Sequence, residues 1–324
     1  MLEISSILRI NIFNTFDRNQ HLPKKEKNLV IDLTMDLLFS LSLCTMKAMP
    51  IQVFTGTSGA TQMKAAFRQN RKHYLQEALG LAIFMVSACF FTAMLFSEKG
   101  SWSHSIQSEM LKNLLMGILM GSTALFIFYS PFTAPSGSHI NPAVTLTFLR
   151  LGKMCRYDAL FFIIFQMIGG TAAVYMMQFL MGTILTNSPV NSAITIPGKF
   201  GMWWALVTEF IIAFITMTMV LFISHHDKLK KYTRIFSGML VCCWVIFAGP
   251  ISGFGMNPAR SFASALPSGI WASFWIYLFI PFAGMLSAAE FFLFTRRTKN
   301  IHQPVIATTE ETVKKISEPS TFAL

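Results

Sequence analysis

The sequence predicts an all-α membrane protein with six transmembrane helices and two half-helices, arranged as an inverted repeat. Of its 324 residues, 53% are hydrophobic and only 13% are charged. The mean hydropathy of +0.52 is well above that of a soluble domain. Six segments are apolar over about the 20 residues needed to cross roughly 30 Å of hydrocarbon. A short motif also occurs twice, at equivalent points of the two halves.

The apolar segments divide the chain into a membrane domain and two flanking regions. We expect a membrane domain at 71–297, with repeats at 71–182 and 203–297, between an N-terminal extension at 1–70 and a polar tail at 298–324. The predicted transmembrane helices lie near 75–96, 111–130, 158–182, 203–223, 235–251 and 270–294.

The distribution of basic residues predicts the orientation in the membrane. The formal charge of +11 is spread between apolar runs and forms no continuous patch, which argues against a nucleic-acid partner. When the segments are assigned to alternating sides, 22 of the 26 Lys and Arg lie on one side. Positive charge favours the cytoplasmic side, so we expect a multi-pass cell-membrane protein with both termini in the cytoplasm. The five cysteines show no metal-ligand spacing, and we expect neither a metal nor a cofactor.

The repeated motif begins a short helix in each half. Asn141, Pro142 and Ala143 follow the second predicted helix, and Asn257, Pro258 and Ala259 follow the fifth. Asparagine is a favoured N-cap. Proline suits the first turn of a helix because a backbone N–H at that position would have no partner within the helix. The apolar stretches that follow are about half the length of a span. Three full helices per half is an odd number, so the second copy enters the membrane inverted.

Inverted half-helices would bring Asn141 and Asn257 together near the membrane midplane. Their side-chain amides can donate hydrogen bonds to the oxygen of a small neutral molecule. The positive ends of both helix dipoles also point there, which raises the energy of a cation or a hydrated proton. We therefore expect a pore that selects against charge.

Two acidic residues occupy equivalent positions inside the apolar segments. Glu77 lies early in the first predicted helix and Glu209 early in the fourth. Ionisable groups in a membrane are costly and indicate a functional or bracing role. A secondary active transporter also has inverted repeats, but these two acids offer little for a coupling-ion site. A membrane enzyme lacks support, because the apolar segments carry no catalytic set of side chains.

The paired motifs resemble those of the aquaporins, members of the major intrinsic protein family, over roughly residues 75–295. The resemblance implies a right-handed bundle of six tilted helices and two half-helices. It also implies a passive channel for water or other small uncharged molecules, with one pore in each subunit of a homotetramer.

The resemblance also implies a set of filter residues. Arg260 corresponds to the arginine of the narrow outer filter, which donates to solute oxygen and repels cations. Met120, Val245 and Phe254 correspond to its remaining positions. Val245 stands where water-selective members have a histidine, and Phe254 where glycerol facilitators have a phenylalanine. This departure leaves a glycerol- or urea-type facilitator as the alternative to a water channel.

The remaining candidate site residues are assigned to structural support by the same resemblance. Glu77 and Glu209 are expected to accept hydrogen bonds from the irregular backbone before each motif. Gln166, in the third predicted helix, and His139, beside the first motif, are expected to brace the pore rather than to contact solute.

Overall fold

Helices are the only regular secondary structure in the part of the chain that this computed structural model describes, residues 59–301. No β-strand occurs among these residues, and the predicted all-α class is confirmed. Most of the predicted N-terminal extension and of the tail lies outside this range. The main helices are α1 Gly59–Phe96, α2 Glu109–Tyr129, α3 Pro142–Arg150, α4 Arg156–Met181, α5 Met202–Ser224, α6 Thr233–Phe247, α7 Pro258–Ser268 and α8 Phe274–Ile301.

Five of these helices are long and apolar enough to cross a membrane: α1, α2, α4, α5 and α8. The fifth predicted span, 235–251, differs from the expectation because its helix is divided. α6 ends at Phe247, and a further helical turn follows at Gly249–Ser252. Pro250 has no amide hydrogen to continue the ladder of helix hydrogen bonds. Ala248 between the two segments keeps right-handed helical angles, so the chain continues in the same sense.

The first helix begins earlier than the apolar pattern predicts. α1 starts at Gly59, so residues 59–70, which we placed in the extension, form its first turns. These turns include Ala60, Gln62, Lys64 and Arg68, all good helix formers without a membrane-length apolar pattern. The helix therefore extends beyond the segment that composition assigns to lipid.

The helices pack with an internal symmetry that follows the two repeats. The most extensive contacts join α1 to α4 in the first half and α5 to α8 in the second. Each half-helix packs mainly on the last long helix of the other half, α3 on α8 and α7 on α4. Between the halves, α2 and α6 cross closely at Gly121 and Gly238, where a Cβ added at Gly121 would lie 3.1 Å from the Gly238 carbonyl oxygen. Small residues at such crossings are typical of membrane helices.

The outer surface of the bundle is strongly apolar. Large apolar side chains project from the long helices, as expected of a surface that contacts lipid tails rather than water. Examples that are at least 60% exposed are Leu75, Phe126, Ile168, Phe179, Trp204 and Phe294. Together with the five long apolar helices, this surface indicates a multi-pass membrane protein.

The contact between α1 and α4 depends on Gly169. A Cβ at Gly169 would overlap the backbone carbonyl group of Ala78, which cannot move aside as a flexible side chain could. We expect Gly169→Ala to lower the free energy of unfolding by about 1–3 kcal/mol, the usual cost of overpacking. Thermal unfolding in detergent would measure this loss. Gly249→Ala is the matched control, since its Cβ would meet no atom within 4 Å; equal melting temperatures for both variants would contradict the prediction.

Candidate functional site

The two half-helices begin in the same way, at an asparagine followed by a proline. The Asn141 side-chain oxygen accepts a hydrogen bond from the Ala143 amide at 2.8 Å. The Asn257 side-chain oxygen accepts from the amides of Ala259 and Arg260 at 3.1 and 3.2 Å. Each asparagine thus caps its own half-helix and orients its NH₂ group away from that helix.

The same two asparagines connect the half-helices to each other. Asn141 Nδ2 donates to the Met256 carbonyl at 3.0 Å, and Asn257 Nδ2 donates to the Ile140 carbonyl at 2.6 Å. The structure therefore brings the two motifs together, although 116 positions separate them in the sequence. Because an amide NH₂ group carries two hydrogens, each asparagine keeps one donor beyond this cross-link.

Glu77 holds the backbone before the first half-helix in place. Its Oε1 accepts from the Ser136 hydroxyl at 2.6 Å and the His139 amide at 2.9 Å. Its Oε2 accepts from the Ile140 amide at 2.6 Å and from Gln166 Nε2 at 2.8 Å. The carboxyl group has no exposed surface, so these four donors replace the water that it would otherwise bind.

Glu209 does the same for the second half-helix. Its Oε1 accepts from the Ser252 hydroxyl at 2.6 Å and the Gly255 amide at 2.7 Å, and its Oε2 accepts from the Met256 amide at 2.5 Å. Ser252 follows Ser136 by the same offset that separates the two asparagines. The two acids are therefore equivalent members of one repeated support.

Gln166 and His139 complete the support of the first loop. Gln166 Nε2 also donates to the Thr145 hydroxyl at 3.2 Å, and one ring nitrogen of His139 lies 3.3 Å from that hydroxyl. The His139 ring stacks on Phe148 with centroids 4.8 Å apart. Both residues are buried, and His139 in addition lines a cavity.

Two cavities lie along the interior of the bundle. The wide cavity, of about 580 Å³, opens at the end of the bundle where α2 begins. Its lining includes Lys112 and Asn113 of α2, Pro189 and Val190 of the loop between the repeats, and Pro250. Lys112 is paired with Glu109 at 3.3 Å, and this pair lies at the rim.

The narrow cavity, of about 110 Å³, continues toward the end of the bundle where α6 begins. Asn141 and Asn257 both line it, and so do residues 137–140 and 254–256, the irregular backbone before each half-helix. Thr233 and Arg234 lie at its far end. Because α2 and α6 run antiparallel at their crossing, the two cavities extend in opposite directions from the bundle centre.

Three residues line both cavities and thus mark the place where they meet: Phe84, Phe254 and Arg260. Arg260 is only 9% exposed, and its Nε and Nη1 have no hydrogen-bond partner among residues 59–301. A buried guanidinium with unused donors can bind the oxygen of a molecule that passes through the junction. Its fixed positive charge also raises the energy of a cation there.

The structure brings most of the predicted site residues together. Met120, Val245, Phe254 and Arg260 all line the wide cavity, while both asparagines line the narrow one. Pro142, Ala143, Pro258 and Ala259 are buried in the first turns of the half-helices, behind the asparagines. The sequence interpretation missed Phe84, since no motif distinguishes it from the other 31 phenylalanines of the chain.

A comparison with protein-family models shows the family of this chain. Residues 62–292 match the model described as major intrinsic protein. The chain belongs to the major intrinsic protein family. Members of this family are channels rather than enzymes.

Several plant aquaporins are similar to this family member. A probable aquaporin TIP4-1 of Oryza sativa is 30% identical over 173 residues, which cover 53% of this chain and 67% of that protein. Aquaporin NIP1-4 of the same plant is 34% identical over 164 residues, 50% of this chain and 58% of that protein. The chain thus matches between about half and two thirds of the length of such relatives.

A solved structure supports the fold. The X-ray structure of the aquaglyceroporin from Plasmodium falciparum aligns with a TM-score of 0.58 and covers 68% of this chain and 95% of that one, at 20% sequence identity. At that identity the likeness concerns the fold alone. This fold agrees with the predicted aquaporin-like helical bundle.

Proposed function

We propose that this protein is a passive channel whose main substrate is water, and that other small uncharged solutes also cross it. It acts as a homotetramer in a cell membrane with both termini in the cytoplasm. It catalyses no reaction and needs no cofactor. The observation that carries this proposal is the meeting of the two cavities at Arg260, directly beside the capped ends of both half-helices.

Fixed groups account for transport without a moving part. A water molecule leaving the wide cavity can accept a hydrogen bond from Arg260, then from the remaining N–H of Asn257 or Asn141. These donors replace part of its hydration, while the apolar walls of the narrow cavity bind it weakly. Binding that is weak and spread over several sites allows a solute to leave as readily as it enters.

The half-helix N-termini and Arg260 also repel cations. Each half-helix presents about half a positive elementary charge at its N-terminus, and Arg260 adds a full one. Glu77 and Glu209 are used by the loop backbone and are not among the residues that line either cavity. A cation or a hydrated proton therefore meets positive potential at the junction, while the carboxylate that lines the wide cavity, Glu109, is paired with Lys112 at its rim.

The wall of the wide cavity favours glycerol and urea as additional solutes. Met120 and Val245 line it where the family resemblance implies an aromatic residue and a histidine. Both side chains lack a polar hydrogen, and valine is smaller than histidine. The constriction at these two residues is therefore wider and more apolar than that of a strict water channel.

Val245→His tests this assignment. The added ring narrows the wide cavity, so we expect glycerol and urea fluxes to fall about ten-fold, the effect of about 1.4 kcal/mol in a barrier. Water flux should fall less than about two-fold, since a water molecule is smaller than either solute and the histidine ring N–H adds a hydrogen-bond donor for it. Stopped-flow light scattering of proteoliposomes would measure shrinkage in an impermeant osmolyte and reswelling in glycerol or urea.

Val245→Leu is the matched control, because it adds bulk without a hydrogen-bond donor. It should reduce the glycerol flux and the water flux together. Wild-type protein that passes water but never reswells in glycerol or urea would limit the substrate to water. Equal solute fluxes in wild type and Val245→His would remove Val245 from the filter.

A further inference from the structure

Phe84 lies at the junction of the two cavities although it belongs to neither motif. It shares this position with Phe254 and Arg260, and its side chain is 8% exposed. A residue that lines both cavities borders the passage between them. The junction is therefore formed by two phenyl rings and one guanidinium group.

The position of Phe84 on α1 follows from that of Glu77. Two helical turns separate the two residues, so both face the interior of the bundle. Between them, Gly80 brings α1 close to the Ile140 side chain of the first pore loop. The loop that Glu77 holds thus also fixes the distance between α1 and the pore.

The Phe84 ring has little freedom to leave this place. Its neighbours Leu81 and Met85 have no exposed surface, and all three belong to the core cluster that includes Met120 and Val245. In a helix, long side chains also avoid the rotamer that points into the preceding turn. The ring is therefore held in the junction by packing on several sides.

The repeat counterpart of Phe84 shows that the aromatic ring is specific to this side of the pore. Thr216 follows Glu209 by the same seven positions, and it lines the narrow cavity only. Its hydroxyl accepts from Trp244 Nε1 at 2.9 Å. The fold thus places both positions on the pore wall, but only the first carries a large apolar ring.

We propose that Phe84 is a specificity-determining residue of this channel, which sets the upper size limit for solutes at the junction with Phe254 and Arg260. The ring supplies, from α1, bulk that Met120 and Val245 do not supply in the wider part of the path. This inference rests on the proposed function, because it concerns which uncharged solutes pass the same pore.

Phe84→Ala tests the inference in proteoliposomes, with reswelling in glycerol and in the larger polyol erythritol and shrinkage for water. We expect the ratio of erythritol to water permeability to rise about ten-fold, because lowering the barrier to permeation by about 1.4 kcal/mol multiplies its rate by ten. Phe84→Trp, which adds bulk at the junction, should lower the ratio of glycerol to water permeability. Phe84→Leu, which disturbs packing less, should show an intermediate rise in the erythritol ratio and serves if the alanine variant does not fold.

Phe90→Ala is the matched control, since it makes the same change on the same helix at a side chain that is 39% exposed on the outer surface. It should leave both ratios unchanged. Folded Phe84→Ala or Phe84→Leu protein with wild-type polyol ratios would overturn the inference while the channel function stands. Wild-type protein without water flux would instead overturn the proposed function, so the two failures are distinguishable.

Discussion

Replacing Glu209 with alanine is expected to destabilise the protein more than any other single change described above. The Ser252 hydroxyl and the amides of Gly255 and Met256 would lose their common acceptor inside the membrane domain. Each buried donor left unpaired costs about 1–3 kcal/mol, so for three donors we expect a loss of about 3–9 kcal/mol in the free energy of unfolding. Thermal unfolding in detergent, followed by tryptophan fluorescence, would measure it.

Two further variants separate the hydrogen bonds from the loss of an acidic group. Glu209→Gln keeps one acceptor oxygen and should melt between wild type and Glu209→Ala. Glu98→Ala removes an exposed acid at the end of α1 and should melt like wild type. If Glu209→Ala melted at the wild-type temperature, the second pore loop would not depend on this carboxylate.

Arg260→Ala is expected to produce the largest change in selectivity. It removes the only charged group among residues 59–301 that lines both cavities. A unit charge about 4 Å from a passing cation contributes about 4 kcal/mol of repulsion at an effective dielectric constant of 20. Because the half-helix dipoles remain, we expect a smaller net effect, a rise of about ten-fold in proton leak. A pH-sensitive dye inside proteoliposomes would measure the leak.

Two control variants separate the loss of the Arg260 charge from other effects of the substitution. Arg260→Lys keeps the positive charge and should keep the proton leak low, although it loses the planar arrangement of donors. Lys99→Ala removes an exposed cation that lines neither cavity and should change nothing. An unchanged proton leak in Arg260→Ala would show that the half-helix dipoles alone exclude cations.

The features that the sequence predicts best are those that local chemistry repeats in both halves. Asparagine followed by proline fixes a helix start, and an acid isolated in an apolar run needs buried donors. The structure places Asn141 and Asn257 at half-helix starts and surrounds Glu77 with four donors, as expected from these residue types. The cross-link of each asparagine to the opposite motif is a tertiary contact that neither motif encodes alone.

Other features could not be read from the sequence because they depend on packing. Phe84 lies in an apolar run where any phenylalanine could face lipid, and only the position of α1 against the pore loops directs it inward. The first turns of α1 carry no apolar signal, since a helix outside lipid needs only helix-forming residues. The division of the fifth span depends on how Pro250 is accommodated, which composition does not reveal.

The central claim, a passive water pore between the half-helices, is tested most directly by osmotic water permeability. Proteoliposomes with wild-type protein are compared with protein-free liposomes of the same lipid by stopped-flow light scattering over a range of temperatures. A pore of fixed donors predicts faster shrinkage and a lower activation energy in the proteoliposomes, because water crosses without first dissolving in hydrocarbon. Well-folded protein with the permeability and activation energy of bare lipid would contradict the account.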